Sequence, residues 1–251
     1  MTEQSVSRIR AVVVDDEELS RALIREYLAA HADVDLVAEC ANGFEAVQAV
    51  ADLGPDLIFL DVQMPKLDGF EVLELVGSDV CVIFVTAYDT YALRAFEVHA
   101  VDYLLKPFSA ERFADALHQA RGKLSRAERV PVSKVVAAAR PAGARLERIL
   151  IRSGSKVEVI PVGSIDYIRA RDDYVGVVVR GRERLKQQTL SDLAGQLDPG
   201  RFVRIHRSTL LNIDRLAGLD LGSRHSHVAV LKDGTQLAVS KSGYARLSEL
   251  L

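Results

Sequence analysis

The chain has 251 residues, 49% of them hydrophobic and 27% charged, with a formal net charge of -3. That length suits two domains of ordinary size, and no apolar run approaches the roughly 20 residues that a membrane helix needs. Two cysteines exclude a disulfide scaffold, so Cys40 and Cys81 are expected as buried free thiols in a reducing cytoplasm.

The polar opening, residues 1–10, lacks an apolar h-region, and no signal peptide is expected. Five short apolar runs follow, at 9–14, 35–39, 57–60, 80–85 and 102–105, each reading as a buried strand. Amphipathic stretches at 17–30, 43–53, 69–76, 90–98 and 110–124 alternate with them as helices. Five βα units predict an α/β domain with a five-stranded, doubly wound parallel sheet, and right-handed crossovers then place helices on both faces.

Between residues 125 and 145 the periodicity fails. Pro131, Pro141, Gly143 and an alanine run, 137–139, sit among Arg and Lys, which reads as a linker. Beyond it the pattern is mainly β. Short strands are expected at 149–151, 157–160, 165–168, 174–179, 216–221, 228–231 and 236–239, with turns at Gly154 and Gly181 and an Asp233-Gly234 hairpin. Helices are expected at 190–197 and 242–250.

Charge divides in the same place. Residues 1–122 hold 9 Lys+Arg against 22 Asp+Glu, a net -13, and residues 123–251 hold 23 against 13, a net +10. The basic half is a candidate for nucleic acid, with a merely solvated surface as the alternative.

Chemistry gathers at the ends of the first-half strands. Val12-Val13-Val14 runs into Asp15-Asp16, Leu57-Ile58-Phe59-Leu60 into Asp61, Val82-Ile83-Phe84-Val85 into Thr86, and Leu104-Leu105 into Lys106-Pro107. The carboxyl ends of parallel strands share one edge, where ligands bind, so three acids, a hydroxyl and an ammonium are expected in one pocket. Alone, Asp15 and Asp16 could cap the following helix and Asp61 could be a loop acid.

This set, with Asp61-x-x-Met64-Pro65-x-x-Asp68-Gly69, resembles the receiver domain of two-component response regulators over roughly residues 8–122. The resemblance implies a flavodoxin-like fold. Asp61 is the implied phospho-acceptor, and Asp15, Asp16, Asp61 and the backbone carbonyl of Gln63 are the implied Mg2+ ligands. Thr86 is the switch hydroxyl, Tyr103 the aromatic switch and Lys106 the phosphate partner, with Pro107 in a cis peptide. A bulky Tyr88, with Gln63, would flank Asp61 on the path of attacking water and slow loss of the phosphoryl group.

In the second half, Arg201-Phe202-Val203-Arg204-Ile205-His206-Arg207-Ser208 with Leu211-Asn212, Val239-Ser240-Lys241 and Tyr167-Ile168-x-Ala170-x-x-Asp173-Tyr174-Val175 resembles the LytTR DNA-binding domain over roughly 146–251. A mainly-β domain without a recognition helix must read DNA with loops. Arg171 in the loop 169–173, Arg207, and Lys241 with Ser242 are the candidate readers, and Arg204 is a further contact. Arg can fork onto guanine, while phosphate contacts only position the protein. The bland alternatives are that Arg204 pairs with an acid, that Lys241 touches phosphate alone, that His206 is structural, and that Arg182, Arg184 and Lys186 form a solvated hairpin. His225 and His227 share a face but lack a third ligand, so no metal is expected there.

The whole therefore resembles a LytTR-type (LytR/AlgR) response regulator: a receiver over 8–124, a linker over 125–145 and a LytTR domain over 146–251. The resemblance implies a cytoplasmic, non-enzymatic transcription regulator. A sensor histidine kinase would phosphorylate it, and it would form a homodimer through the helix 90–98 to bind repeated promoter DNA, with no membrane partner. One alternative is an output half that docks a protein. The other is an Asp-nucleophile phosphatase, although Asp61-Val62-Gln63 lacks the second acid of haloacid-dehalogenase-type enzymes.

Overall fold

A computed structural model of the chain describes residues 8–77, 80–87, 102–126, 145–154, 156–221 and 227–250. The expected helix 90–98, Tyr88, His225 and most of the expected linker lie outside them. The chain divides into two compact units.

In the first, β1 (Ile9–Val14), β2 (Val34–Cys40), β3 (Leu57–Leu60), β4 (Cys81–Thr86) and β5 (Asp102–Leu105) form one sheet in the order β2-β1-β3-β4-β5. All four pairings are parallel. The inner strands are apolar on both faces because both faces are covered. Helices α1 (Glu18–Leu28) and α4 (Ala110–Ser125) pack Ile24, Leu28, Phe113 and Leu117 against Ala11, Val13, Phe59 and Ile83. Helices α2 (Gly43–Leu53) and α3 (Gly69–Val76) cover the opposite face, where the Phe70 ring lies 5.1 Å from that of Phe84. The doubly wound arrangement expected from the sequence is present. Boundaries differ by a residue or two: α1 ends at Leu28 rather than 30, and α4 continues to Ser125.

The second unit opens with β6 (Arg148–Ser153) and β7 (Lys156–Pro161), which pair as a two-stranded sheet. Then β8 (Tyr167–Arg171), β9 (Tyr174–Val179), β10 (Arg182–Lys186), β11 (Phe202–His206) and β12 (Thr209–Asn212) form an antiparallel sheet in the order β10-β9-β8-β12-β11. Finally β13 (Leu216–Leu221), β14 (His227–Leu231) and β15 (Gln236–Val239) form a three-stranded antiparallel sheet. Helix α5 (Leu190–Gln196) lies between β10 and β11, and α6 (Lys241–Ser248) follows β15.

The five-stranded sheet separates two cores. Ile168, Val175, Val177 and Leu210 pack on one side with Ile149, Ile151 and Leu193. Val203, Ile205 and Leu211 pack on the other with Ala229, Leu231 and Leu247. One expectation needs correction: the strand placed at 165–168 begins at Tyr167 and runs to Arg171. Residues Val162–Ser164 form a 3-10 turn, and the carbonyl of Ile165 instead accepts from the side-chain amide of the fully buried Asn212 at 2.7 Å. No helix among the described residues is long and apolar enough to cross a membrane.

Candidate functional site

Parallel pairing carries the ends of β1, β3, β4 and β5 to one edge, and backbone bonds continue the ladder just beyond them. The amide of Asp15 donates to Cys40, that of Asp61 to Val14, and that of Lys106 to Thr86, at 3.1, 2.9 and 2.8 Å. The side chains that follow are thereby held together. Carboxylate oxygens of Asp15, Asp16 and Asp61 all lie within 4.8 Å of one another. Asp15 is fully buried, Asp61 nearly so, and Asp16 exposed. The ammonium of Lys106 reaches in from the β5 edge, 2.7 Å from Asp15 Oδ2, 3.0 Å from Asp61 Oδ2 and 3.7 Å from Glu17 Oε2. The Lys106–Pro107 peptide is cis.

Burial pushes the Asp61 carboxyl above the usual carboxylate range, and the charge of Asp15 adds to this, against the pull of Lys106 and the Gln63 amide. For Lys106, burial works against the charged form, but bonds to Asp15 and Asp61 prevail and hold the ammonium above its ordinary value. The cluster is a set of hard oxygen donors, two of them buried and one exposed, with the Lys106 ammonium between the buried two. That donor chemistry fits Mg2+, which takes carboxylate, carbonyl, phosphate and water oxygens.

Thr86 closes the pocket on the β4 side. It is fully buried, and among the described residues its hydroxyl has no hydrogen-bond partner. A buried unsatisfied polar group costs about 1–3 kcal/mol. Thr86→Val, which keeps the shape, is therefore expected to stabilise the unphosphorylated protein by about 1 kcal/mol, read as a higher midpoint in urea. It should weaken any response that depends on the hydroxyl.

Tyr103 is buried on β5, paired across the ladder with Phe84. The Gln63 amide donates to Asp61 Oδ1 at 3.1 Å. Other residues of this site escaped the sequence reading. Ser20 donates its hydroxyl to Asp15 Oδ2 at 2.5 Å, and Arg21 donates to the Asp15 carbonyl at 2.6 Å. Asp102 and Arg112 form a doubly hydrogen-bonded pair, and Arg112 also holds the Tyr103 carbonyl at 2.7 Å. This pins α4 to the strand that presents Lys106. The signal was there in principle: Asp102 is a charge opening an otherwise buried run, with Arg112 one turn into the next helix.

In the second unit the candidate DNA residues gather around the end of β11. The Ala170 amide donates to Ser208 at 2.9 Å, bringing the β8–β9 turn beside the β11–β12 turn, and the Ser240 amide donates to Ile205 at 2.9 Å, bringing in the start of α6. Arg207 is exposed at the β11–β12 turn, and Lys241 and Ser242 are exposed at the first turn of α6. Among the described residues Arg204 has no acid partner. It donates to Ser191 Oγ at 3.2 Å and to the Arg207 carbonyl at 2.6 Å, bracing the turn that carries Arg207. His206 braces the same turn through Ser208 at 2.8 Å. Arg184 pairs with Glu158, and Lys186 donates to the Leu150 carbonyl, so the charges of β10 help seat the β6–β7 hairpin. The His227 ring stacks on Tyr244 with centroids 3.8 Å apart.

Arg171 is engaged by Glu183, which it shares with Arg169. Hydrogen bonds from Arg169, then from Arg171, hold the Glu183 carboxyl down at about 2. A carboxyl lowered on folding contributes stability that is complete above its ordinary 4.5 and lost as pH falls through about 2. The melting-temperature difference between the parent and Glu183→Gln should therefore shrink as pH is lowered through that window. A difference independent of pH there would contradict the pairing.

Comparison with known proteins matches residues 11–118 to the response regulator receiver domain and residues 155–251 to the LytTr DNA-binding domain. An uncharacterised response regulatory protein of Yersinia pestis is 32% identical over 248 residues, covering 97% of this chain and 98% of that protein. The transcriptional regulatory protein BtsR of Salmonella typhi is 32% identical over 247 residues, covering 97% and 99%. A response regulatory protein of Vibrio cholerae is 35% identical over 251 residues, covering 92% and 94%.

Proposed function

The chain belongs to the response regulators that join a receiver to a LytTR DNA-binding domain, and from that premise we propose that phosphoryl transfer from a sensor histidine kinase to Asp61 controls how residues 146–251 engage promoter DNA. It is a phosphorylation-controlled, DNA-binding transcription regulator. The convergence of Asp15, Asp16, Asp61, Thr86 and Lys106 at one sheet edge carries the reading.

An oxygen of the Asp61 carboxylate forms a bond to phosphorus as the P–N bond of the kinase phosphohistidine breaks and the imidazole leaves with the electron pair. Asp15, Asp16, Asp61 and the Gln63 carbonyl would hold Mg2+, which when bound would neutralise charge on the transferring phosphoryl oxygens. Lys106 already lies 3.0 Å from the acceptor carboxylate and exchanges that partner for a phosphoryl oxygen. The Thr86 hydroxyl, without a partner among the described residues, donates to another, and Tyr103 follows it into the space left behind.

The new state pairs two receivers through residues 90–98, the segment the sequence assigns to the pairing surface. Pairing links two LytTR domains and raises the effective concentration of each for the second half of a repeated site. Arg171, Arg207, Lys241 and Ser242 contact DNA, and Arg204 holds the Arg207 turn. The protein acts in the cytoplasm.

The test is fluorescence anisotropy of the full chain with duplexes recovered by selection from random DNA, with and without a small phosphodonor and Mg2+. Tighter binding in the phosphorylated state, lost on chelation of Mg2+ during phosphorylation, is the expected result. Absence of binding by either form at low salt would refute the reading.

A further inference from the structure

Arg169 and Arg171 project from the same face of β8, two residues apart, at the strand end beside the turn assigned above to DNA. Both guanidiniums are bound by one carboxylate. Arg169 contacts Glu183 at 2.6 and 2.7 Å, and Arg171 contacts the same two oxygens at 3.0 and 3.1 Å.

Glu183 is not a strand neighbour of either arginine. It lies on β10 opposite Val178, and β9 runs between β10 and β8. Its side chain crosses that strand over Gly176, whose ladder partners are Arg169 and Leu185. A Cβ on Gly176 would stand 1.9 Å from Glu183 Oε1 and 2.7 Å from its Cδ. The missing side chain is what lets the carboxylate through.

The same face carries Tyr174 and Leu185, 43% and 53% exposed, so the triad borders open solvent on the side away from Tyr167 and the core it packs on. An exposed ion pair contributes little to stability. Its consequence for a polyanion is larger. Two guanidiniums with one carboxylate present a net single positive charge instead of two, and the carboxylate occupies the donors that a phosphate would use.

We propose that Glu183 is an internal counter-anion that withholds Arg169 and Arg171 from DNA phosphates, leaving Arg171, on the longer pair of bonds, to be released where base contacts favour it. The proposal rests on the DNA-binding reading above. Glu183 is thus a positioning residue for specificity: it weakens sequence-independent attachment, which phosphate contacts dominate.

The test is binding of the unphosphorylated full chain to a labelled random-sequence duplex across a salt series. Glu183→Gln is expected to tighten binding threefold or more at low salt. It should also steepen the slope of log K against log salt by about one, the signature of one added phosphate contact. Gly176→Ala, which leaves every charge in place and only pushes the flexible end of Glu183 aside, should move both quantities the same way by a smaller amount. A purely structural triad predicts weaker binding and an unchanged slope. Unchanged or weaker binding by both variants, with the parent slope, would overturn the proposal. If Glu183→Gln does not fold, Gly176→Ala decides. Failure of the parent chain itself to bind any duplex at low salt would instead refute the DNA-binding reading, and the proposal with it.

Discussion

Asp61→Asn is expected to abolish phosphoryl uptake while leaving the fold at least as stable as the parent. Removing a covalent nucleophile costs on the order of 10^6-fold in rate. Asp15, the other buried acid of the cluster, already accepts from Ser20, Lys106 and the Glu17 amide, so it is not free to take over. The stability expectation follows from the electrostatics. The Asp61 carboxyl is raised first by burial and then by Asp15, so its ionised form is disfavoured by folding at neutral pH. Asparagine has nearly the same shape, can accept from Lys106 and the Gln63 amide, and carries no charge to desolvate. A phosphate-affinity gel after incubation with a phosphodonor and Mg2+ reads the first effect, and the melting temperature at pH 7 reads the second. Residual labelling of the variant, or a melting temperature well below the parent's, would contradict the arrangement.

Gly243→Ala should destabilise the second unit and weaken DNA binding together. Gly243 lies one turn into α6, where alanine is intrinsically the better helix former by up to about 1 kcal/mol. Packing opposes that preference. A Cβ there would meet the Ile205 carbonyl oxygen at 1.9 Å and its carbon at 2.5 Å, both backbone atoms of β11, and backbone cannot rotate away as a side chain can. The helix lies this close because it is bonded to the strand. The Ser240 amide and hydroxyl both donate to Ile205, and Arg246 donates to Arg204 at 2.7 Å. Overpacking of this kind costs about 1–3 kcal/mol, so the clash outweighs the helix preference. The displaced first turn carries Lys241 and Ser242, and a loss of about 1.4 kcal/mol in binding is tenfold in affinity. Urea denaturation and anisotropy on selected DNA check the two effects. A Gly243→Ala protein as stable as the parent would contradict the close approach of helix and strand.

The receiver pocket was legible because its residues stand at strand ends, and parallel topology converts position along each strand into a shared location. Asp15, Asp61, Thr86 and Lys106 need no information beyond the period of the apolar runs. The supporting contacts were not legible for the complementary reason. Ser20 meets Asp15 only through the way the chain turns from β1 into the first turn of α1, and Arg112 finds Asp102 only once α4 docks on β5. In the second unit the face and partner of each charge depend on antiparallel neighbours that sequence spacing does not specify. Glu183 reaches two arginines across an intervening strand, through the gap at Gly176, and Arg204 braces a turn instead of pairing with an acid. The start of β8 was misplaced because Ile165 is as apolar as a strand residue, although its carbonyl is used by Asn212.

Asp61 is the residue that captures the phosphoryl group, within a carboxylate cluster relieved by a cation. Incubation of the full chain with a phosphodonor and Mg2+, followed by borohydride reduction and peptide mass mapping, measures this directly, since an aspartyl phosphate is reduced to homoserine. Homoserine at position 61 alone, and none when Mg2+ is chelated beforehand, is the predicted result. Reduction at a different acid, or equal labelling without the metal, would contradict it.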